Sequence, residues 1–111
     1  MTRRIRLAVA ACAALGAGSL FAQVKVDPVA AQALSDKYFC SACHANDRTM
    51  VGPAFAAIAK KYRGDAAAPA LLARKVRDGG TGVWGQIPMP PNPTVTDPEM
   101  QQLIAWILSF D

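Results

Sequence analysis

Two thiols three positions apart, with an imidazole directly after the second, occur in the run Cys40-Ser41-Ala42-Cys43-His44. That spacing is what a c-type haem attachment site requires. Each cysteine sulfur adds to one vinyl group on the porphyrin edge, and the two vinyls lie on adjacent rings. The next residue then falls beneath the macrocycle, where its imidazole can bind the iron from one face. The competing use of Cys40 and Cys43, a thioredoxin-like dithiol, needs a βαβ context, and no alternating run long enough for a sheet is present.

His44 is the only histidine, so bis-histidine ligation within the chain, a second catalytic histidine and a multi-histidine zinc site are all excluded. A six-coordinate iron would take a methionine, a lysine or water as its other ligand. Met50 lies six residues beyond His44, too near to reach easily around a macrocycle. Met100 falls on the apolar stripe of a helix, where core packing explains it. Met89 follows His44 by 45 residues, inside Pro88-Met89-Pro90-Pro91. Proline fixes φ and removes donors, and stiff backbone aims a side chain. Met89 is therefore the expected second ligand. A soft, neutral thioether favours ferrous iron and raises the reduction potential. With both axial positions filled, no room is left for substrate, which suits an electron carrier and not an enzyme. The rival is a haem peroxidase or gas sensor with a displaceable sixth ligand.

Four helical segments must position these groups. Asp27 can cap a first helix opening at Pro28, with Val29, Ala33, Leu34 and Tyr38 as its inward stripe. Phe55, Ile58, Ala59 and Tyr62 follow the three-four spacing of a second helix over 54–62, stopped at Gly64. A third spans 68–77, with Leu71, Leu72 and Val76 apolar, and ends at Asp78-Gly79-Gly80. Thr96-Asp97-Pro98-Glu99 is a capping box opening a last helix, whose Met100, Leu103, Ile104 and Ile107 share one face with Trp106 beside it. Between the third and fourth lies 79–95, with four glycines and four prolines. Its Trp84, Ile87 and Met89 are more than a flexible linker carries. The fold class expected is all-α.

The first residues form an export signal over 1–22. Arg3, Arg4 and Arg6 precede an apolar run from Leu7 to Phe21, and Ala22 is a small residue at a cleavage point. The run is shorter than the roughly 20 apolar residues of a membrane span, so a retained anchor is the lesser alternative. Processing as a lipoprotein at Cys12 would leave only a handful of apolar residues before the cysteine. Removal leaves one domain, 23–111, in the periplasm, with no stable membrane insertion. The formal charge is +4 over the whole chain, but three of the twelve basic residues lie in the signal, so nine face eight acids. Nucleic-acid binding, which needs a basic face or tail, is not expected. Lys60, Lys61, Arg63, Arg74, Lys75 and Arg77 nevertheless bunch mid-chain, as a solvated face or a docking patch. A domain this small has a marginal core, and a covalently held macrocycle would supply the missing apolar mass.

Residues 27–111 resemble the small bacterial class I cytochromes c of the c-551/c-552 type. The resemblance rests on Cys40-Ser41-Ala42-Cys43-His44, Met50-Val51-Gly52-Pro53-Ala54, Gly82-Val83-Trp84-Gly85, Ile87-Pro88-Met89-Pro90-Pro91-Asn92 and Ala105-Trp106-Ile107-Leu108-Ser109. It implies a compact cytochrome c fold of about four helices around one haem c, bound through Cys40 and Cys43. It also implies that the Pro53 carbonyl accepts from the His44 ring, that Trp84 and Lys75 meet the haem propionates, and that Asn92 bonds the Met89 sulfur or holds its loop. Phe39 departs from the pattern, standing where glycine is usual, so the first helix should enter the motif at a slightly different angle. The implied role is a monomeric shuttle taking single electrons from a quinol–cytochrome c reductase-type donor. The acceptor would be a terminal reductase or oxidase, met in weak, transient encounters.

Overall fold

A computed structural model describes residues 11–13 and 24–111. Apart from 11–13, the export segment expected over 1–22 lies outside the described residues. Four helices follow in order: α1 (Pro28–Lys37), α2 (Phe55–Lys61), α3 (Ala68–Asp78) and α4 (Asp97–Ile107), with a 3-10 turn at Cys40–Ala42. Among the described residues there is no strand, only one antiparallel bridge between Gly80 and Met89. The expected all-α class is met.

Helix α4 is the element on which the others pack. Its start is built as the sequence implies: the Thr96 side chain accepts from the Glu99 N–H, and Glu99 reaches back to the Thr96 N–H. Met100, Leu103, Ile104, Trp106 and Ile107 are all buried. They meet Ala31 of α1, Phe55 and Ile58 of α2, Leu72 of α3, and Val95. Full burial of each large aliphatic side chain contributes about 1.5–3 kcal/mol. Trp106 meets Phe55 and Phe110 edge-on, at centroid separations of 5.4 and 5.1 Å.

One inward face differs from expectation. In α1, Asp27 caps Val29 and Ala30 as foreseen, but Val29 is exposed and so is Ala33. The buried residues are Ala31 and Ser35, with Leu34 and Tyr38 packed against the core edge. Small side chains let α1 approach α4 closely, and at the rim a polar clasp closes the pair. Lys37 Nζ lies 2.6 Å from Glu99 Oε1, and the Tyr38 hydroxyl donates to Glu99 Oε2. In α3, for which the sequence named only the apolar residues, the buried ones are Ala68 and Leu72, one turn apart, with Val76 packed against the core and Leu71 about half exposed. In the last turn of α3, Arg77 donates to the Val95 carbonyl and pairs with Asp97. That anchors the end of the long loop to the start of α4.

Candidate haem site

The attachment turn follows from how α1 stops. Tyr38 closes the helix and Phe39 takes the left-handed conformation, φ 59° and ψ 23°. This is the usual geometry just past a helix C-terminus, where glycine is favoured. The chain then tightens into the 3-10 turn, with the Cys43 and His44 N–H groups both donating to the Cys40 carbonyl, at 3.1 and 2.9 Å. Ser41, between the cysteines, is held to α1 by donating to Asp36 (2.5 Å) and lying 3.3 Å from the buried Ser35 hydroxyl. Burial pushes the Cys40 thiol up, with a contact from Ser35 pulling the other way. Dithiol redox chemistry requires the reverse, a thiol lowered toward the thiolate.

His44 is oriented from two sides. Its Nδ1 lies 2.7 Å from the Pro53 carbonyl oxygen. A carbonyl only accepts, so Nδ1 carries the proton and Nε2 is the nitrogen with a free lone pair. The imidazole stacks on Phe55, with centroids 5.2 Å apart and planes 17° from parallel. Gly52 passes so close that a Cβ there would lie 2.7 Å from His44 Cε1. Gly52 itself is fixed by donating to the Cys43 carbonyl at 2.8 Å. Neither Gly52 nor Phe55 was assigned a part in the site from the sequence. The Gly-Pro pair was the available signal for the first, while Phe55 looked only like a helix-stripe residue.

Met89 is held by its backbone. Gly80 and Met89 exchange both N–H···O bonds, at 3.0 and 2.9 Å, and the Asn92 N–H donates to the Val76 carbonyl of α3 at 2.8 Å. Gly79, at φ 67°, lies so close under this segment that a Cβ there would be 2.3 Å from the Met89 oxygen. The Asn92 side chain donates to the Pro90 carbonyl at 3.2 Å, within the same loop.

Cys40, Cys43, His44 and Met89 all line one cavity of about 350 Å³, within the usual range for cofactor sites. Met89 is the one methionine among its walls; Met50 is exposed and Met100 is buried in the core. Trp84 and Lys75 lie on the same cavity. Trp84 is 47% exposed, not core-packed, and sits on a turn closed by the Gly82 N–H donating to the Gly85 carbonyl. Lys75 has no carboxylate within ion-pairing distance among the described residues. Its Nζ lies beside Gly80, 3.1 Å from where a Cβ would stand.

The Cytochrome c family model matches residues 29–111. The chain belongs to the cytochrome c family. It is 45% identical over 101 residues to cytochrome c-552 of Nitrosomonas europaea, covering 91% of this chain and 90% of that relative. To cytochrome c-551 of Allochromatium vinosum it is 48% identical over 77 residues, 69% of this chain and 82% of the relative. The crystal structure of wild-type Nitrosomonas europaea cytochrome c552 superposes with a TM-score of 0.69 at 45% identity, covering 72% of this chain and 99% of that one. The protein is thus a class I monohaem c-type cytochrome with the compact all-α cytochrome c fold, of a family of electron carriers. Its haem c is bound covalently through the cysteine pair, Cys40 and Cys43. The residues fit that group. Paired thiols on one turn, a ring nitrogen freed by a proton fixed on its twin, a thioether and a cation all line a single, mainly apolar cavity.

Proposed function

We propose that this protein is a periplasmic carrier of single electrons in which His44 and Met89 are the two axial ligands of the haem iron. Bound haem supplies an iron that gains and loses one electron while no substrate bond is made or broken. Cys40 and Cys43 hold the macrocycle, and His44 offers Nε2. The Pro53 carbonyl keeps the proton on Nδ1 and so makes the imidazole a better donor. Met89 offers its sulfur from a backbone pinned at Gly80 and braced through Asn92. Lys75 and the Trp84 indole N–H serve the propionates, a cation and a donor toward two carboxylates.

The observation that carries this reading is that one cavity gathers both cysteines, the sole histidine and just one methionine, the one whose backbone is doubly bonded in place. A fixed methionine also weighs against a peroxidase or gas sensor, where the sixth position must open. With an export segment over 1–22 removed, the mature chain, 23–111, would act as a monomer in the periplasm. No helix among the described residues is long and apolar enough to cross a membrane. Its donor would be a quinol-oxidising complex and its acceptor a terminal reductase or oxidase. In the ferric protein a sulfur-to-iron charge-transfer band in the red is expected. Met89→Ala should keep covalent haem, lose that band and bind added cyanide or imidazole faster. Persistence of the band in the variant would overturn the Met89 assignment.

A further inference from the structure

The segment that carries Met89 has few groups by which it can be held. Of the five residues between Met89 and Val95, three are proline, which has no N–H to donate. The Asn92 N–H is already taken by the Val76 carbonyl, and Pro91, Pro93 and Thr94 lie exposed. What remains for fastening is the carbonyl side of the chain, and a carbonyl needs a donor brought to it. Arg77 brings one. From the last turn of α3 its Nη1 donates to the Val95 carbonyl at 2.9 Å. Among the described residues it is the one side chain outside 79–95 that hydrogen-bonds into that stretch.

The place of attachment gives this bond its reach. Val95 is buried in the core cluster with Leu72 and Met100, so its side chain fixes the end of the segment from within and Arg77 fixes it at the carbonyl. At the other end, Gly80 and Met89 exchange two bonds. Between those points the prolines fix φ, so a shift at Val95 is passed on to Met89 instead of being absorbed on the way. Neither Arg77 nor Val95 lines the haem cavity, so the bond does not depend on what fills it. The second arm of the guanidinium pairs with Asp97. That side chain is 87% exposed, where an ion pair contributes little. The carbonyl bond is the arm that holds.

We propose that Arg77 is a positioning residue for the sixth ligand: through the Val95 carbonyl it clamps the Met89 segment and so limits how readily the Met89 sulfur leaves the iron. The proposal rests on the ligand reading above and adds to it a control point outside the cavity. Arginine suits the place because its planar fork reaches a carbonyl and a carboxylate at once, whereas the single ammonium of lysine is a point charge.

The test uses the haem-loaded, exported protein and two rates. One is hydrogen exchange of the Met89 and Asn92 amides in the reduced, ¹⁵N-labelled protein; the other is imidazole binding to the ferric protein. Arg77→Met keeps the apolar stem and removes the donors. It should speed both rates about tenfold or more, the weight of one hydrogen bond from a charged donor. Arg77→Lys should recover part of the loss, and Asp97→Asn should stay within about twofold of the parent. Ala31→Gly is the reference for general weakening. It loosens α1, which bonds to Glu99 and Ser41 and not to the loop, so both rates should stay near the parent's although the melting temperature falls. Rates for Arg77→Met no faster than those for Ala31→Gly would overturn the proposal. So would Asp97→Asn matching Arg77→Met, since the ion pair would then be the clamp, or fast exchange with unchanged imidazole binding in a protein that shows the red band. A parent with the band and an Arg77→Met variant with unchanged exchange defeats this proposal alone. Fast exchange in Arg77→Met, where the parent shows no band, leaves the clamp on the loop standing and defeats the Met89 reading.

Discussion

Phe39→Gly should make this protein more stable, and the amount can be worked from one pair of dihedrals. Phe39 is held at φ 59°, ψ 23°, the only non-glycine residue with positive φ among the described residues. For an L-residue that region costs about 1–2 kcal/mol. The side chain recovers little of it, being 79% exposed. Glycine removes the strain but restores about 0.5–1 kcal/mol of unfolded-chain entropy. The net gain is about 0.5–1 kcal/mol, which for a domain of this size raises the melting temperature by about 2–8 °C. The assay is thermal unfolding of the ferric protein, followed by circular dichroism and by the red band. Phe39→Ala is the control: it removes the aromatic ring but keeps a Cβ in the left-handed region, so it should gain almost nothing. A melting temperature lowered by Phe39→Gly, or raised equally by both variants, would falsify the strain argument. The ring, and not the backbone, would then be what matters at this position.

Local chemistry was legible in the sequence where spacing alone determines it. The Cys40–Cys43–His44 run and the Thr96–Glu99 capping box need no distant partner, and both were read directly from residue order. The fixed backbone of Met89 was legible for a different reason, because the prolines around it limit what that backbone can do. The face of α1 was misjudged in part, at Val29 and Ala33, where side-chain size carries the information. Ala31 and Ser35 give no hydrophobic signal, yet their smallness is what seats α1 on α4. Leu71 gives a strong signal but is about half exposed, because Ala68 and Leu72 already define the inward side of α3. Gly52 was visible only as part of a motif and Gly79 only as a helix stop. What makes each necessary is a contact with residues distant along the chain or across the loop, the His44 ring for one and the Met89 carbonyl for the other. Phe55 fitted its helical stripe, and nothing in that pattern announces that its ring lies flat against the imidazole.

Gly52→Ala forces a Cβ to within 2.7 Å of His44 Cε1 and should cost about 1–3 kcal/mol, seen as a lower denaturant midpoint and a disturbed haem spectrum. Gly79→Ala sets a Cβ 2.3 Å from the Met89 oxygen at φ 67°. It should weaken or abolish the red band without releasing haem, whereas an unchanged band would mean the loop is not what holds Met89. The last expectation concerns acid. The Glu99 carboxyl is drawn down to about 2 from 4.5, chiefly by its bonds from Lys37 and then Tyr38, with Thr96 adding to them. A carboxyl lowered in the folded state stabilises the fold above its unfolded pKa, and that contribution is lost as pH falls through the folded value. Between about pH 4.5 and 2, Glu99 therefore gives up its hold on α1 while still capping α4 less and less. Glu99→Gln keeps the shape but not the charge, so its melting temperature should fall at neutral pH and converge on that of the parent near pH 2. Lys37→Gln should reproduce part of this, since the α4 cap survives it. Parallel pH profiles for parent and Glu99→Gln would show that the clasp between α1 and α4 contributes nothing, and that α1 is held by its packed face alone, Ala31 with Leu34 and Tyr38.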